Sequence, residues 1–128
     1  ARCVTLEGLN ARELDAAGLG RHFPPGGFDL IVCDASFISL TLLMPRWPAL
    51  LAPRGDVLAL VKPQFEVGPK GVGKGGIVRD ATLYADVEAR LRAAATDCGL
   101  TVREWFDSPI AGGDGNREFF LWMHHANH

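Results

Sequence analysis

Two runs of unbroken apolar residues alternate with stretches in which apolar positions recur at helical spacing. Leu30-Ile31-Val32-Cys33, within FDLIVCD (28–34), lacks polar alternation, which predicts a strand covered on both faces and central in a parallel sheet. DVLALV (56–61) repeats the pattern. Between them ISLTLLMPRWPALLAPRG (38–55) is helical by its leucines, but Pro45 and Pro48 interrupt it. A helix in two parts is expected, with Ser39 or Thr41 near its start and a stop at Pro53-Arg54-Gly55. The clearest helix follows Asp80 as N-cap, carries Leu83, Val87, Leu91 and Ala94 or Ala95 on its inner stripe, and ends before Gly99. Ahead of all these, ARCVTL (1–6) reads as a short strand, LNARELDAAGLG (9–20) as a turn and brief helix closed by Gly18 or Gly20, and PPGG (24–27) as a break. LTVREWF (100–106) alternates like a half-exposed strand, SPIAGGDGN (108–116) is a polar loop, and REFFLWM (117–123) is the last strand.

The resulting order, β-α-β-α-β-β, predicts an α/β fold with a mostly parallel sheet. No helix joins the last two strands, so the final one should run antiparallel. That topology bears on chemistry, because open parallel sheets bind ligands at the carboxyl ends of their strands. Asp34 closes strand 30–33 and Lys62 closes strand 56–61. An antiparallel last strand starts at that same edge, which brings Glu118 there too. Any one of these charges alone is most simply a strand end meeting solvent, but three arriving from separate stretches form a candidate site. A lysine flanked by carboxylates suits proton transfer.

Composition narrows the alternatives. With 128 residues, 48% of them hydrophobic, the chain holds one domain or part of one. Its 13 basic and 15 acidic side chains give a net charge of −2, so any binding of nucleic acid must come from a local patch. Cys3, Cys33 and Cys98 are odd in number and far apart, which fits a reducing, cytoplasmic compartment and shows no metal spacing. No apolar run approaches the roughly 20 residues that span a bilayer, so no membrane partner is expected.

Gly71-Val72-Gly73-Lys74-Gly75-Gly76 satisfies G-x-G-x-x-G, and Gly68 to Lys74 nearly makes a Walker A loop. Neither fits its surroundings. A phosphate fingerprint leaves a strand directly and opens a helix, whereas about ten residues separate Val61 from Gly71 and the helix begins near Asp80. Gly75 also stands where a Walker loop has Ser or Thr. The segment reads better as a lid on which Lys70, Lys74 and Arg79 can hold a phosphodiester backbone. His124, His125 and His128 are expected in a frayed tail, and Trp47, Trp105 and Trp122 in or half in the core.

LEGLNAREL (6–14), FDLIVCDASFISL (28–40), LVKPQFEVG (60–68), GGIVRD (75–80) and GNREFFLW (115–122) together resemble the FtsJ-like ribosomal RNA 2′-O-methyltransferases, most closely the hemolysin-related TlyA type. The resemblance spans nearly the whole chain and implies that residues 1–128 are the C-terminal portion of an S-adenosylmethionine-dependent methyltransferase domain. The implied fold is part of a Rossmann-like class I sheet with its first two strands missing. Of the family's Lys-Asp-Lys-Glu tetrad, the last three members fall on Asp34, Lys62 and Glu118. The implied reaction is methyl transfer from S-adenosylmethionine to a ribose 2′-hydroxyl of ribosomal RNA, with Lys62 assisting deprotonation and Asp34 and Glu118 orienting it. Asn10, Asp34 and Ala35 would touch the cofactor.

The first lysine of the tetrad and the loop for the methionine end of the cofactor fall outside these 128 residues, so the chain alone is expected to be inactive. The family's strand order, 3-2-1-4-5-7-6, would also leave an interior gap beside strand 30–33. Either residues 1–20 are displaced or pair in a way foreign to the family, or a second copy covers that edge as a homodimer. The alternative function is a non-catalytic RNA-binding or hemolysin-like protein that keeps the fold.

Overall fold

The computed structural model describes residues 3–7, 26–34, 38–68, 72, 78, 80–109 and 116–125, with the backbone alone for 3–7. Its strands are β1 (Cys3–Glu7), β2 (Phe28–Asp34), β3 (Leu51–Val61), β4 (Leu100–Asp107) and β5 (Phe119–His125). They form one five-stranded sheet in the order β1-β2-β3-β5-β4. β1 pairs with β2 and β2 with β3 in parallel, while β5 is antiparallel to both β3 and β4. The expected mixed topology, with one reversed strand at the end of the chain, is therefore present.

The edge of β2 expected to lie open is filled from within the chain. Cys3 to Glu7 pair with Leu30 to Asp34 in parallel register, the second of the arrangements expected for the first residues. With both edges of β2 paired, the unsatisfied backbone groups that called for a second copy are gone, and the homodimer loses its physical reason. The helix expected over 9–20 lies outside the described residues.

After β2 the chain makes two 3₁₀ turns, Leu40–Leu42 and Met44–Arg46, and one turn of helix, α1 (Trp47–Leu50). Ser39 caps the first turn by accepting the Thr41 N–H, and Pro45 and Pro48 sit in the first turns of the segments they open. A proline cannot donate to the preceding turn, so the leucine pattern breaks into short pieces instead of one helix.

The helical stop expected at Pro53-Arg54-Gly55 is corrected by the structure. Helix α1 ends at Leu50, and β3 begins at Leu51 and passes through these three residues. Pairing with β2 jumps from Phe28 opposite Leu51 to Leu30 opposite Asp56, so Pro53-Arg54-Gly55 bulge out where no ladder N–H is required. Gly55 lies against β2 so closely that a Cβ there would stand 2.6 Å from the Phe28 carbonyl oxygen.

Helix α2 (Thr82–Asp97) packs Val87, Leu91 and Ala95 onto one face of the sheet. They join Leu40, Leu43, Met44, Trp47 and Leu50 from the turn region, and Ile31, Cys33, Val57, Ala59, Val61, Leu121 and Met123 from the strands, in a single core. Burying each large side chain here contributes about 1.5–3 kcal/mol. On the opposite face Leu30, Val32, Leu58, Leu60, Phe120 and Trp122 are only half-buried. The strand expected at 30–33 runs over Phe28–Asp34 and is central as expected, but among the described residues only the side chains on one of its faces are fully buried.

Asp80 acts one residue earlier than a strict N-cap. Its carboxylate accepts from the Thr82 N–H (2.9 Å) and hydroxyl (2.6 Å), and its carbonyl accepts from the Leu83 N–H. Gly99, with φ +89°, ends the helix as expected. His124 and His125 are not in a frayed tail. They belong to β5, opposite Asp56 and Thr101 and opposite Leu100, because β4 needs partners down to its first residue. Trp47 is fully buried and Trp105 and Trp122 half-buried, as expected.

Candidate functional site

The parallel strands β2 and β3 end side by side, and their last residues deliver the site. Asp34 is the final residue of β2, and Lys62 is the first residue beyond β3. Lys62 Nζ stands 2.6 Å from Asp34 Oδ1, with the lysine side chain 16% exposed and the carboxylate 49% exposed. With its carboxylate half open to water, the pair contributes little to stability, on the order of 0–1 kcal/mol. Its geometry therefore asks for a reason other than holding the fold.

Glu118 comes to the same edge through the ladder between β3 and β5. Val61 pairs with Phe119, so Lys62 and Glu118 leave the sheet together at adjacent positions. Glu118 is buried, and its carbonyl accepts from the Ser108 N–H at 2.9 Å, which joins the start of β5 to the end of β4. The residue before it, Arg117, grips Asp107 with two nitrogens at 2.8–3.1 Å and lies over the rings of Tyr84 and Phe119. Asn116 is buried and accepts from the Val78 N–H at 2.9 Å. The segment 116–118 thus anchors both Glu118 and the far end of the glycine-rich stretch.

Asn10 and Ala35, and the lid residues Lys70, Lys74 and Arg79, lie outside the described residues. The described boundaries of that stretch support the argument against a phosphate loop, since β3 stops at Val61, a 3₁₀ turn (Pro63–Phe65) intervenes, and α2 starts only at Thr82. Cys33, beside the pair, is no nucleophile. Burial pushes its thiol up to about 12, with Asp34 adding to the rise and Lys62 opposing it.

Sequence reasoning does not single out Glu66, which the structure buries four residues after Lys62. Ser39 Oγ donates to its Oε1 at 2.6 Å and the Leu40 N–H to its Oε2 at 2.9 Å. Arg90 of α2 donates to Oε1 at 3.1 Å and also to the Glu66 carbonyl. The only signal in the sequence was a lone acid between two apolar residues, Phe65 and Val67.

Burial raises the Glu66 carboxyl above its ordinary 4.5, against the lowering effect of the Ser39, Leu40 and Arg90 contacts. A raised carboxyl favours the folded state below the unfolded value, and that contribution is lost as pH rises through the folded value. The stability of the wild type relative to Glu66→Gln should therefore fall as pH climbs from 4.5, then level off. Urea unfolding of both proteins between pH 4 and 8 checks this, and a difference that grows with pH would contradict it.

The FtsJ-like methyltransferase family matches residues 1–125. YqxC, a candidate rRNA methyltransferase of Bacillus subtilis (strain 168), is 43% identical over 123 residues, covering 96% of this chain and 42% of that protein. The 16S/23S rRNA (cytidine-2′-O)-methyltransferase TlyA of Mycobacterium tuberculosis (strain CDC 1551 / Oshkosh) is 40% identical over 122 residues, covering 95% of this chain and 44% of that protein. A solved structure of a candidate hemolysin from Streptococcus thermophilus superposes with a TM-score of 0.82 at 37% identity, over 93% of this chain and 42% of that one. The chain spans less than half the length of these relatives. With a match running through both strand-end segments that carry Asp34 and Lys62, the chain belongs to the FtsJ-like methyltransferase family.

Proposed function

We propose that the full-length protein transfers a methyl group from S-adenosylmethionine to a ribose 2′-hydroxyl of ribosomal RNA in the cytoplasm, and that these residues are the C-terminal portion of its catalytic domain. The observation that carries this reading is the 2.6 Å contact of Lys62 with Asp34 at the carboxyl edge of the sheet. The relative TlyA of Mycobacterium tuberculosis, a 16S/23S rRNA (cytidine-2′-O)-methyltransferase, supports it. No described helix is long and apolar enough to cross a membrane.

Of the residues assigned to the cofactor, Asp34 is described. Its half-exposed carboxylate accepts hydrogen bonds only, and it stands where open α/β sheets bind ligands, which suits the amino or hydroxyl donors of the cofactor. Asn10 and Ala35 are proposed to complete that contact. Bound S-adenosylmethionine supplies the electrophilic methyl group.

Lys62, once its ion-paired ammonium has passed a proton to water, accepts the proton from the 2′-hydroxyl as that oxygen takes the methyl, the donor's sulfur–methyl bond breaks and the thioether leaves. The proton ends on Nζ as an ammonium, and Asp34 at 2.6 Å stabilises that charge. The exposed half of Asp34 then offers the proton a way to water. Glu118, whose main chain is anchored through Ser108 and which leaves the sheet beside Lys62, is proposed to orient the lysine. Much of the rate comes from holding acceptor and donor in line. Lys70, Lys74 and Arg79 are proposed to hold the RNA backbone.

The resemblance assigns the first tetrad lysine and the methionine loop to segments that these 128 residues do not contain. The activity is therefore proposed for the full-length protein and not for this chain by itself. Incubating full-length protein with unmodified ribosomal subunits and S-adenosylmethionine should yield 2′-O-methylnucleosides on nuclease digestion and mass spectrometry. Methyl groups appearing only on bases would overturn the proposal.

A further inference from the structure

Glu66 has no place in the reaction as described above, yet it joins the two loops that carry the reacting pair. Its side chain is 2% exposed and both its oxygens are filled. Ser39 and Leu40, its donors, open the turn that follows β2, the strand ending on Asp34. Its main chain follows the Pro63–Phe65 turn, which begins directly after Lys62. Arg90 holds the same residue from α2, through Oε1 and through the main-chain carbonyl.

We propose that Glu66 is a positioning residue for the methyl transfer, locking the segment after Lys62 to the segment after Asp34 and so keeping the two side chains in contact. The inference rests on the reading of Lys62 as proton acceptor.

The turn between Lys62 and Glu66 is stiff enough to transmit this restraint. The Lys62 carbonyl accepts from the Phe65 N–H at 2.9 Å, and the Pro63 carbonyl accepts from the N–H groups of Glu66 (2.9 Å) and Val67 (3.1 Å). Pro63 fixes its own φ at the start of the turn. A carboxylate at position 66 therefore sets where the backbone of residue 62 leaves β3. On the other loop, the Ser39 hydroxyl bonded to Glu66 also accepts from the Thr41 N–H, so the cap and the tie share one oxygen. A buried acid is a costly way to join two loops if only cohesion is needed, because an apolar contact would do that without desolvating a charge. What an acid adds is fixed direction, since both oxygens must meet donors at set places.

The test uses the full-length protein with its ribosomal RNA substrate and compares Glu66→Gln, Ser39→Ala and Lys62→Ala. An amide at position 66 keeps the shape but turns two N–H groups toward donors, so kcat should fall about 10–100-fold, the scale of a misplaced reacting group. KM for S-adenosylmethionine and for RNA should stay within about two-fold. Ser39→Ala should lower kcat in the same direction by less, and should cost nothing further once Gln is at position 66. Rates are taken per folded molecule, so simple loss of stability does not register.

If Glu66→Gln and Ser39→Ala both keep kcat within about two-fold, the inference is overturned. Should Glu66→Gln not fold, Ser39→Ala decides alone, and an unchanged kcat overturns the inference. Lys62→Ala separates the two readings. Full activity there defeats the proposed function itself, whereas lost activity there beside intact activity in the other two variants defeats only the role of Glu66.

Discussion

Replacing Lys62 by alanine in the full-length protein should lower ribose methylation by about 10²–10⁴-fold, the range that a positioned proton acceptor supplies. The fold should survive. Lys62 sits just beyond β3, its side chain is outside the core, and its partner Asp34 is half open to water. Loss of that pair costs at most about 1 kcal/mol. Activity and stability should therefore separate widely, and radiolabelled methyl transfer measured beside urea unfolding reads both. A variant that keeps a tenth or more of the wild-type rate would remove Lys62 from the chemistry, because no general base contributes so little. Lys62→Arg should not rescue, since a guanidinium stays charged and cannot accept the proton.

That Lys62 could be singled out from the sequence follows from topology more than from motif. Unbroken apolar runs placed β2 and β3 in the middle of a parallel sheet, and the missing helix before REFFLWM reversed β5. Together these sent Asp34, Lys62 and Glu118 to one edge, where the structure has them. The bulge at Pro53-Arg54-Gly55 was not legible, because proline and glycine mark a helical stop and a strand bulge alike. What decides between them is the register with β2, a contact between residues more than twenty apart.

Pairing of Cys3–Glu7 with β2 was foreseen only as one arrangement among several, since the strand pattern fixes neither neighbour nor order. His124 and His125 were misread for a related reason. Their place in β5 comes from Leu100 and Thr101 across the ladder and from nothing local. Glu66 was invisible because its partners Ser39, Leu40 and Arg90 lie 24 to 27 residues away, and an acid in a turn looks like a solvated one.

Of the break expected at PPGG, Gly26 and Gly27 are described directly ahead of β2, and the second can be tested for what makes it necessary. Gly27→Ala should destabilise the protein by about 2–5 kcal/mol, the sum of two separate costs. Gly27 has φ +94°, where an L side chain is strained by about 1–2 kcal/mol. Its Cβ would also stand 2.6 Å from the Ala52 nitrogen and from the Leu51 carbonyl carbon, both main-chain atoms that cannot rotate aside. Relieving that clash means shifting β3 where it joins β2, at about 1–3 kcal/mol.

Gly99→Ala separates the two terms, because Gly99 has a similar φ of +89° but nothing within 4 Å of an added Cβ. It should cost only the backbone strain, about 1–2 kcal/mol. Urea unfolding followed by tryptophan fluorescence, with Trp47 fully buried as a reporter, should show the Gly27→Ala midpoint clearly below that of Gly99→Ala. Equal midpoints would mean that β2 and β3 do not approach as closely at Leu51 as the structure shows. The shift between Phe28 and Leu30 that sets the heights of Asp34 and Lys62 at the sheet edge would then need to be redrawn.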